Sequence, residues 1–170
     1  FFDDVKASKA DLIGQENRGW TIAKRLLQHE RSSISGGGAG VPRSASLPTL
    51  MQQYAPDEPA VREEVLSVQL DAAAFQLTQA RAAEESRGGG TPTYATSTFK
   101  YLSSEILRRR HEAIIAMMGT RGAGWEGREF RPDELQATRT WLFGKAMTIA
   151  GGSSEVQLNI IAKRVLGLPD

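Results

Sequence analysis

Apolar residues at intervals of three and four, interrupted by runs of glycine, constrain the fold of this chain more than any other feature. Val61, Val65 and Val68 follow this interval, which places side chains on one face of an α-helix. The runs Gly36–Gly38 and Gly88–Gly90 interrupt the pattern because glycine is a poor helix former. The pattern predicts long helices over residues 18–34, 60–85, 93–118, 132–149 and 154–166, and a short helical turn over residues 50–54.

The predicted helices and the connections between them indicate the fold class. Long helices joined by connections of modest length favour an all-α fold, an antiparallel four-helix bundle. Residues 1–17 are expected to form a short strand and a polar loop, because Phe1, Phe2 and Val5 are apolar and Gly14 marks a turn. A chain of 170 residues with 40% hydrophobic and 24% charged residues is large enough for one domain with its own core.

The composition argues against several classes of function. The sequence has no cysteine, and its two histidines, His29 and His111, have no second ligand at a spacing that zinc requires. The formal net charge of +1 gives no reason to expect a nucleic acid or an acidic membrane surface as partner. No apolar run approaches the roughly 20 residues that cross a bilayer. We therefore expect no metal site, no nucleic-acid partner and no membrane span.

The turn before the last predicted helix is a candidate binding site. Gly151 and Gly152 free the backbone, and Ser153 or Ser154 then offers a side-chain oxygen as the N-cap. Ser154 and Gln157 have the spacing of a capping box. The first backbone N–H groups of a helix lack intrahelical partners and carry the positive end of its dipole, so this turn suits an electron-rich ligand. An ordinary capped terminal helix would have the same pattern.

Glu30 is the candidate for chemistry because it lies on the apolar face of the first predicted helix. It follows Leu27 by three residues and precedes Ile34 by four. A carboxylate on such a face is costly unless it is paired or lines a cavity. Burial would raise the pKa of this carboxyl and make it a better proton acceptor near neutral pH. The alternative is a structural role, in which Glu30 pairs with Arg31, Lys24 or a basic residue of another helix.

Two segments of the sequence resemble one enzyme family. Segment 151–169 opens Gly-Gly-Ser-Ser-Glu-Val-Gln and ends Leu-Gly-Leu-Pro. It resembles the last long helix of acyl-CoA dehydrogenases, which opens with a Gly-Thr-Ser-Glu-Ile-Gln-like run. Segment 1–20 resembles the passage from the middle β-domain of that family into its C-terminal helical domain. The resemblance implies that residues 1–17 end the β-domain and that residues 18–170 form the helical domain of a longer, divergent bacterial member, with further domains upstream of Phe1.

The resemblance implies a reaction and the residues that perform it. Acyl-CoA dehydrogenases use a glutamate to remove the α-proton of an acyl-CoA thioester while hydride leaves the β-carbon for flavin N5. In most members that glutamate lies just before the Gly-Thr-Ser-like run, where this sequence has Gly151. Isovaleryl-type, long-chain-type and several bacterial members carry it on the first helix in a Leu-x-x-Glu-Arg-like setting, which Leu27–Arg31 matches. The resemblance thus implies that Glu30 is the catalytic base and that Gly151 leaves room for the acyl chain. It also implies that Arg31 contacts the pantetheine or nucleotide part of the substrate.

The resemblance also implies a cofactor and partners. Ser153, Ser154 and Glu155 would contact FAD through the start of the last helix. Two flavin motifs of the family, Arg-x-Phe-Gly-like and Gln-x-x-Gly-Gly-x-Gly-like, are not evident, and residues 119–124 near the second have no Gln. This departure resembles a bacterial subgroup in which unlike subunits pair and only some interfaces hold FAD. The implied partners are an acyl-CoA substrate, an electron-transfer flavoprotein or similar acceptor, and further subunits of a homo- or hetero-oligomer in the cytoplasm.

The sequence therefore supports three hypotheses. The first is an enzyme of acyl-CoA desaturation, which Glu30 favours. The second is an assembly subunit of the same fold without chemistry, which the missing flavin motifs favour, and the third is a small helical interaction module. We expect the 170-residue chain alone to bind no flavin and to be inactive, because it lacks the sheet that would hold the isoalloxazine ring.

Overall fold

The computed structural model describes residues 1–26, 45–87 and 97–169, and this part of the chain is all-α. Residues 19–26 are helical, and short 3-10 helices form at Lys9–Asp11 and Gly119–Ala123. The longer helices are α1 (Leu47–Tyr54), α2 (Pro59–Arg87), α3 (Phe99–Met118), α4 (Pro132–Ala146) and α5 (Ser154–Arg164).

Helix α3 is the centre of the bundle, since α1, α2, α4 and α5 all contact it. Helix α2 is antiparallel to it. Phe75, late in α2, packs edge-on against Phe99 at the start of α3, with ring centroids 5.6 Å apart. Glu64, early in α2, accepts a hydrogen bond from Arg109 farther along α3 at 3.2 Å.

Helix α4 packs against another side of α3 in the same antiparallel sense. Gly144, near the end of α4, lies against the ring of His111 in the middle of α3. Thr138, in the middle of α4, donates a hydrogen bond at 3.0 Å to the carbonyl of Gly122, which follows α3. The predicted antiparallel helical bundle is thus confirmed.

The hydrophobic core lies where α1 closes the groove between α2 and α3. Ser46 caps the N-terminus of helix α1, and its Oγ accepts a hydrogen bond from the Thr49 N–H at 3.3 Å. The buried side chains of this core come from all three helices. They are Leu47, Ala55, Val65, Val68, Ile114, Met117 and Met118.

Helix α2 has one apolar face that is covered and one that is open. The covered face begins with Val61, Val65 and Val68, as the sequence pattern predicts. The second predicted face contains Leu70 and Leu77, which are 71% and 72% exposed. The described residues therefore cover only one of the two sides on which α2 is apolar.

Several of the sequence predictions differ from the structure. No strand forms in residues 1–17, because Asp4 adopts φ +50°, which interrupts an extended run, and no other strand lies in the described ranges to pair with it. The helical turn predicted over residues 50–54 begins earlier, at Leu47, because Ser46 caps it. Helix α4 ends at Ala146 rather than at residue 149, and a turn leads from there to α5.

Candidate functional site

The start of α5 is built from a serine cap and a glutamine bridge. Ser153 is the N-cap, and its Oγ accepts a hydrogen bond from the Val156 N–H at 3.4 Å. The predicted capping box of Ser154 and Gln157 is wrong, because the cap lies one residue earlier and Gln157 falls in the fourth helical position. The buried side chain of Gln157 instead donates its amide to the Gly151 carbonyl at 3.1 Å.

The two glycines before the cap are required by the backbone. Gly151 has φ +68° and Gly152 has φ +103°, in the region that residues with a Cβ rarely adopt. A Cβ on Gly152 would lie 2.6 Å from Nε2 of Gln157. The tight turn and the helix start therefore depend on each other. The backbone conformation at position 151 is by itself sufficient to favour glycine there.

Lys100, the second residue of α3, contacts the turn between α4 and α5. Its side chain is 3% exposed, and its Nζ donates to the carbonyls of Gly152 at 2.6 Å and Thr148 at 3.3 Å. Burial lowers the pKa of Lys100 from its ordinary value of 10.5, against the opposite effect of Glu105 and Glu155. A buried ammonium with two carbonyl partners fixes the turn between α4 and α5.

Ser154 is tied to α3 by a second bond. Its Oγ donates to Glu105 at 2.9 Å, and Glu105 pairs with Arg108 at 2.9 Å. The network continues from Arg108 to Glu112 at 2.7 Å and from Glu112 to Lys145 of α4. Because the Ser154 hydroxyl proton is already donated, its contribution to a ligand would come from its backbone N–H or from the free lone pair of the hydroxyl.

Glu155 faces solvent in the first turn of α5. Hydrogen bonds from the Ser153 side chain and from its own backbone N–H lower the pKa of Glu155 from its ordinary value of 4.5. The carboxylate is therefore charged at neutral pH, and it lies at the positive end of the helix dipole. It suits a hydrogen-bond acceptor role toward a hydroxyl or N–H donor of a ligand.

The structure thus brings together four of the predicted site residues and adds two that the sequence did not reveal. Gly151, Ser153, Ser154 and Glu155 form one turn, while Lys100 and Glu105 from α3 hold it. No sequence pattern marked Lys100, because a lysine beside an apolar stripe is ordinarily solvated. The predicted residues Glu30 and Arg31 lie outside the described residues.

Comparison with known proteins decides the family. Residues 17–166 match the family described as the C-terminal domain of acyl-CoA dehydrogenase. The chain belongs to the acyl-CoA dehydrogenase family.

Relatives within this family come from mycobacteria. The chain is 32% identical over 173 residues to "Acyl-CoA dehydrogenase IpdE1" of Mycolicibacterium smegmatis, which covers 99% of the chain and 42% of that protein. It is 29% identical over 170 residues to "Acyl-CoA dehydrogenase FadE34" of Mycobacterium tuberculosis, with 99% of the chain and 22% of that protein covered. The chain therefore spans less than half the length of these acyl-CoA dehydrogenases.

Two solved structures have the same fold. The structure titled "Tcur3481-Tcur3483 steroid ACAD" superposes with a TM-score of 0.78 at 18% identity, covering 99% of this chain and 44% of that one. The ChsE4-ChsE5 complex from Mycobacterium tuberculosis superposes with a TM-score of 0.70 at 22% identity, covering 100% of this chain and 45% of that one. At these identities the similarity establishes the fold.

The hydrogen-bond donors at the start of α5 decide whether this turn fits the flavin of acyl-CoA dehydrogenases. The first N–H groups of α5 lack intrahelical acceptors, and two glycines precede them without side chains. This arrangement suits the carbonyl oxygens and ring nitrogens of an isoalloxazine, or a phosphate. Ser153, Ser154 and Glu155 are the residues that would hold such a group.

Glu134 is the one buried carboxylate of the described residues, and structural contacts occupy it. Glu134, in the first turn of α4, accepts hydrogen bonds from the Tyr54 hydroxyl at 3.2 Å, the Arg121 guanidinium at 3.3 Å and the Arg131 N–H at 2.8 Å. The Arg131 N–H is the main cause that lowers the pKa of Glu134 from 4.5. Glu134 is therefore a fixed anion near the start of α4, whose 15 residues separate it from the α5 turn by about 20 Å.

A small cavity lies between α1, α3 and α4. It has a volume of about 240 Å³, and Leu50, Tyr54, His111 and Met118 are among the residues that line it. The His111 ring is 5% exposed, and its Nδ1 has no hydrogen-bond partner. Burial, together with the nearby positive charges, lowers the pKa of His111 from its ordinary value of 6.5, so the ring is neutral at pH 7.

Two classes of site find no support in the described part of the chain. Its histidines, aspartates and glutamates form no group of three that could hold a metal ion. None of its helices is long and apolar enough to cross a membrane.

Proposed function

We propose that this chain is the C-terminal helical domain of an FAD-dependent acyl-CoA dehydrogenase that desaturates an acyl-CoA thioester between its α- and β-carbons. Residues 1–17 would be the end of the middle β-domain, and residues 18–170 the helical domain. The observation that carries the proposal is the family match over residues 17–166, together with a glycine–serine helix start of the kind that binds an electron-rich cofactor.

Proton removal is assigned to Glu30 in this proposal. At the position that carries the base in most of the family, this chain has Gly151, which has no side chain. Its φ of +68° disfavours any residue that has a Cβ. Glu134 accepts three hydrogen bonds and is held as an anion, so it does not compete for the role. Glu30 would take the α-proton, the β-hydride would pass to the bound flavin, and the product would be the α,β-unsaturated thioester.

Binding of the cofactor and binding of the substrate are assigned to two groups of residues. Ser153, Ser154 and Glu155 would contact FAD, which supplies the hydride acceptor. Arg31 would hold the pantetheine or nucleotide of the substrate through its charge, and Gly151 would leave room for the acyl chain. The turnover of the whole protein would then require an electron-transfer flavoprotein or a similar acceptor.

The whole protein is proposed to be an oligomer. Leu66, Leu70 and Leu77 form an apolar face on α2 that no described residue covers. Burial of such a face against another subunit would be favourable by about 25 cal/mol per Å² of apolar surface. One structural neighbour is titled as the complex of two different proteins, which makes a hetero-oligomer as reasonable a state as a homo-oligomer.

The second candidate function is an assembly subunit of this fold that performs no chemistry. The observation that favours it is residues 119–124, which contain the short 3-10 helix Gly119–Ala123 and lack the glutamine of the family's flavin motif. A subunit of this kind would bring α2 to an interface and leave the flavin to its partner.

The deciding experiment uses the full-length protein that contains this chain. Its flavin absorbance is recorded while acyl-CoA thioesters are added. The panel spans straight-chain, branched and steroid-side-chain substrates, the last because one structural neighbour is titled a steroid ACAD. We expect one class to bleach the flavin, and we expect Glu30→Gln to lower the rate of bleaching by about 10²–10⁴-fold, the usual contribution of a general base.

The matched control is Glu16→Gln, which makes the same chemical change at an exposed residue near the start of the first helix. We expect it to leave the rate unchanged. Full turnover by Glu30→Gln would show that another group removes the proton. A purified protein that holds no flavin alone or with a partner subunit would favour the assembly role.

A further inference from the structure

We infer that Lys100 is a positioning residue that aims the flavin-binding helix start by holding the turn between α4 and α5. This inference rests on the proposed function, because it concerns the residues to which flavin binding is assigned. It is carried by the two hydrogen bonds from Lys100 Nζ to the turn and by the burial of the ammonium.

The position of Lys100 is electrostatically unfavourable without those bonds. It is the second residue of α3, where the positive end of that helix's own dipole repels a cation. It is also 3% exposed, so its ammonium has lost almost all of its water. The carbonyls of Thr148 and Gly152 replace that water, and they lie just beyond the C-terminal, negative end of α4.

The bond to Gly152 determines where the next donor points. The carbonyl and the N–H of a trans peptide unit point in opposite directions, and the Gly152–Ser153 unit is trans. Since Lys100 holds the Gly152 carbonyl toward α3 at 2.6 Å, the Ser153 N–H of the same unit points away from α3. The cap residue of α5 therefore offers its N–H on the side that faces away from α3.

Glu105 completes the arrangement from one turn farther along α3. It holds Ser154 Oγ at 2.9 Å and contributes negative charge near Lys100. Two side chains of one helix thus fix three consecutive residues, 152 to 154. The rigidity matters because donors held in place before binding cost no ordering entropy when the ligand arrives.

The test compares Lys100→Met with Lys145→Met in the full-length protein. Both changes replace a lysine by an unbranched apolar side chain, but the Lys145 side chain pairs with Glu112 and not with the carbonyls of the turn. Hydrogen exchange of residues 148–157 and the dissociation constant of FAD are measured for both variants. We expect Lys100→Met to speed exchange in the turn and to weaken FAD binding, each by about tenfold or more, the size of one charge-assisted hydrogen bond.

Several outcomes would overturn the role of Lys100. One is exchange in the turn at the wild-type rate, and another is an FAD affinity within about twofold of wild type. A uniform increase of exchange over α2, α3 and α4 would make Lys100 a general stability residue instead. Should Lys100→Met not fold, Lys100→Gln, which keeps a donor but not the charge, is measured in the same way and against the same limits.

The exchange measurement separates this inference from the proposed function. Wild-type protein without affinity for FAD would refute the flavin assignment. Unchanged exchange at residues 148–152 would refute the role of Lys100 whether or not flavin binds.

Discussion

A double-mutant cycle between Gly144 and His111 tests how tightly α3 and α4 pack beside the cavity. A Cβ on Gly144 would lie 2.7 Å from His111 Nδ1, well inside the 3.4 Å at which ordinary contact begins. Gly144→Ala gains about 1 kcal/mol of helix propensity. It loses about 1–3 kcal/mol through overpacking as long as the ring is present. We therefore expect Gly144→Ala to be about 1–3 kcal/mol more favourable in a His111→Ala background than in wild type.

The assay is urea unfolding followed by circular dichroism on wild type, the two single variants and the double variant. The matched control is Gly19→Ala, because a Cβ on this helical glycine meets nothing within 4 Å. Its effect should be the same in both backgrounds. Equal effects of Gly144→Ala in the two backgrounds, within about 0.5 kcal/mol, would refute the contact between the ring and the glycine.

Two other properties of the molecule lead to predictions. First, the lowered pKa of His111 means that the unfolded chain binds a proton that the folded chain does not as the pH falls below about 6.5. The free energy of unfolding should therefore decrease from about pH 7 to about pH 5, and His111→Gln should weaken this decrease when urea midpoints are compared. Second, replacing both Leu70 and Leu77 by Glu should reduce the oligomer of the full-length protein to smaller species in sedimentation velocity, because charge on the open apolar face of α2 opposes its burial.

Each of these two predictions has its own control and its own contrary result. Carboxylates titrate mostly below about pH 5, so the difference between wild type and His111→Gln isolates the imidazole. Identical pH dependence of the two proteins would mean that folding does not lower the pKa of His111. For α2, Gln76→Glu adds a charge at an exposed polar position of the same helix and should leave the oligomer intact. Unchanged sedimentation of the Leu70 and Leu77 double variant would show that another face forms the interface.

The helices were predictable because their information is local. The spacing of the apolar residues predicted both ends of α2 to within two residues, and Pro132 correctly indicated the start of α4. The strand expected in residues 1–17 was wrong because strands depend on partners, which no local pattern records. The capping box failed for a related reason: the spacing of Ser154 and Gln157 was correct, but whether Ser153 or Ser154 caps depends on the turn before it.

The turn that forms the candidate site was predictable only where its residues are contiguous in sequence. Gly151 and the two serines that follow Gly152 adjoin one another, so a short motif contains them. The residues that hold them lie about 50 positions earlier on α3, and their separation from the turn is 52 residues for Lys100 and 49 for Glu105. A periodicity analysis reads a lysine between apolar residues as solvated, since isolated lysines are almost never buried.

The buried ammonium of Lys100 shows why a residue that holds a distant turn cannot be inferred from any single segment of sequence. Three helix ends meet at Lys100: the start of α3, which carries it, the end of α4, whose following carbonyls bind it, and the start of α5, whose cap it orients. The repulsion from α3 and the loss of water are offset only when the carbonyls of Thr148 and Gly152 are both in place. The turn and the lysine therefore stabilise each other, and a change at either should loosen the other. A substitution of Lys100 on α3 should for this reason alter the start of α5, and the fold couples the centre of the bundle to the proposed flavin contact.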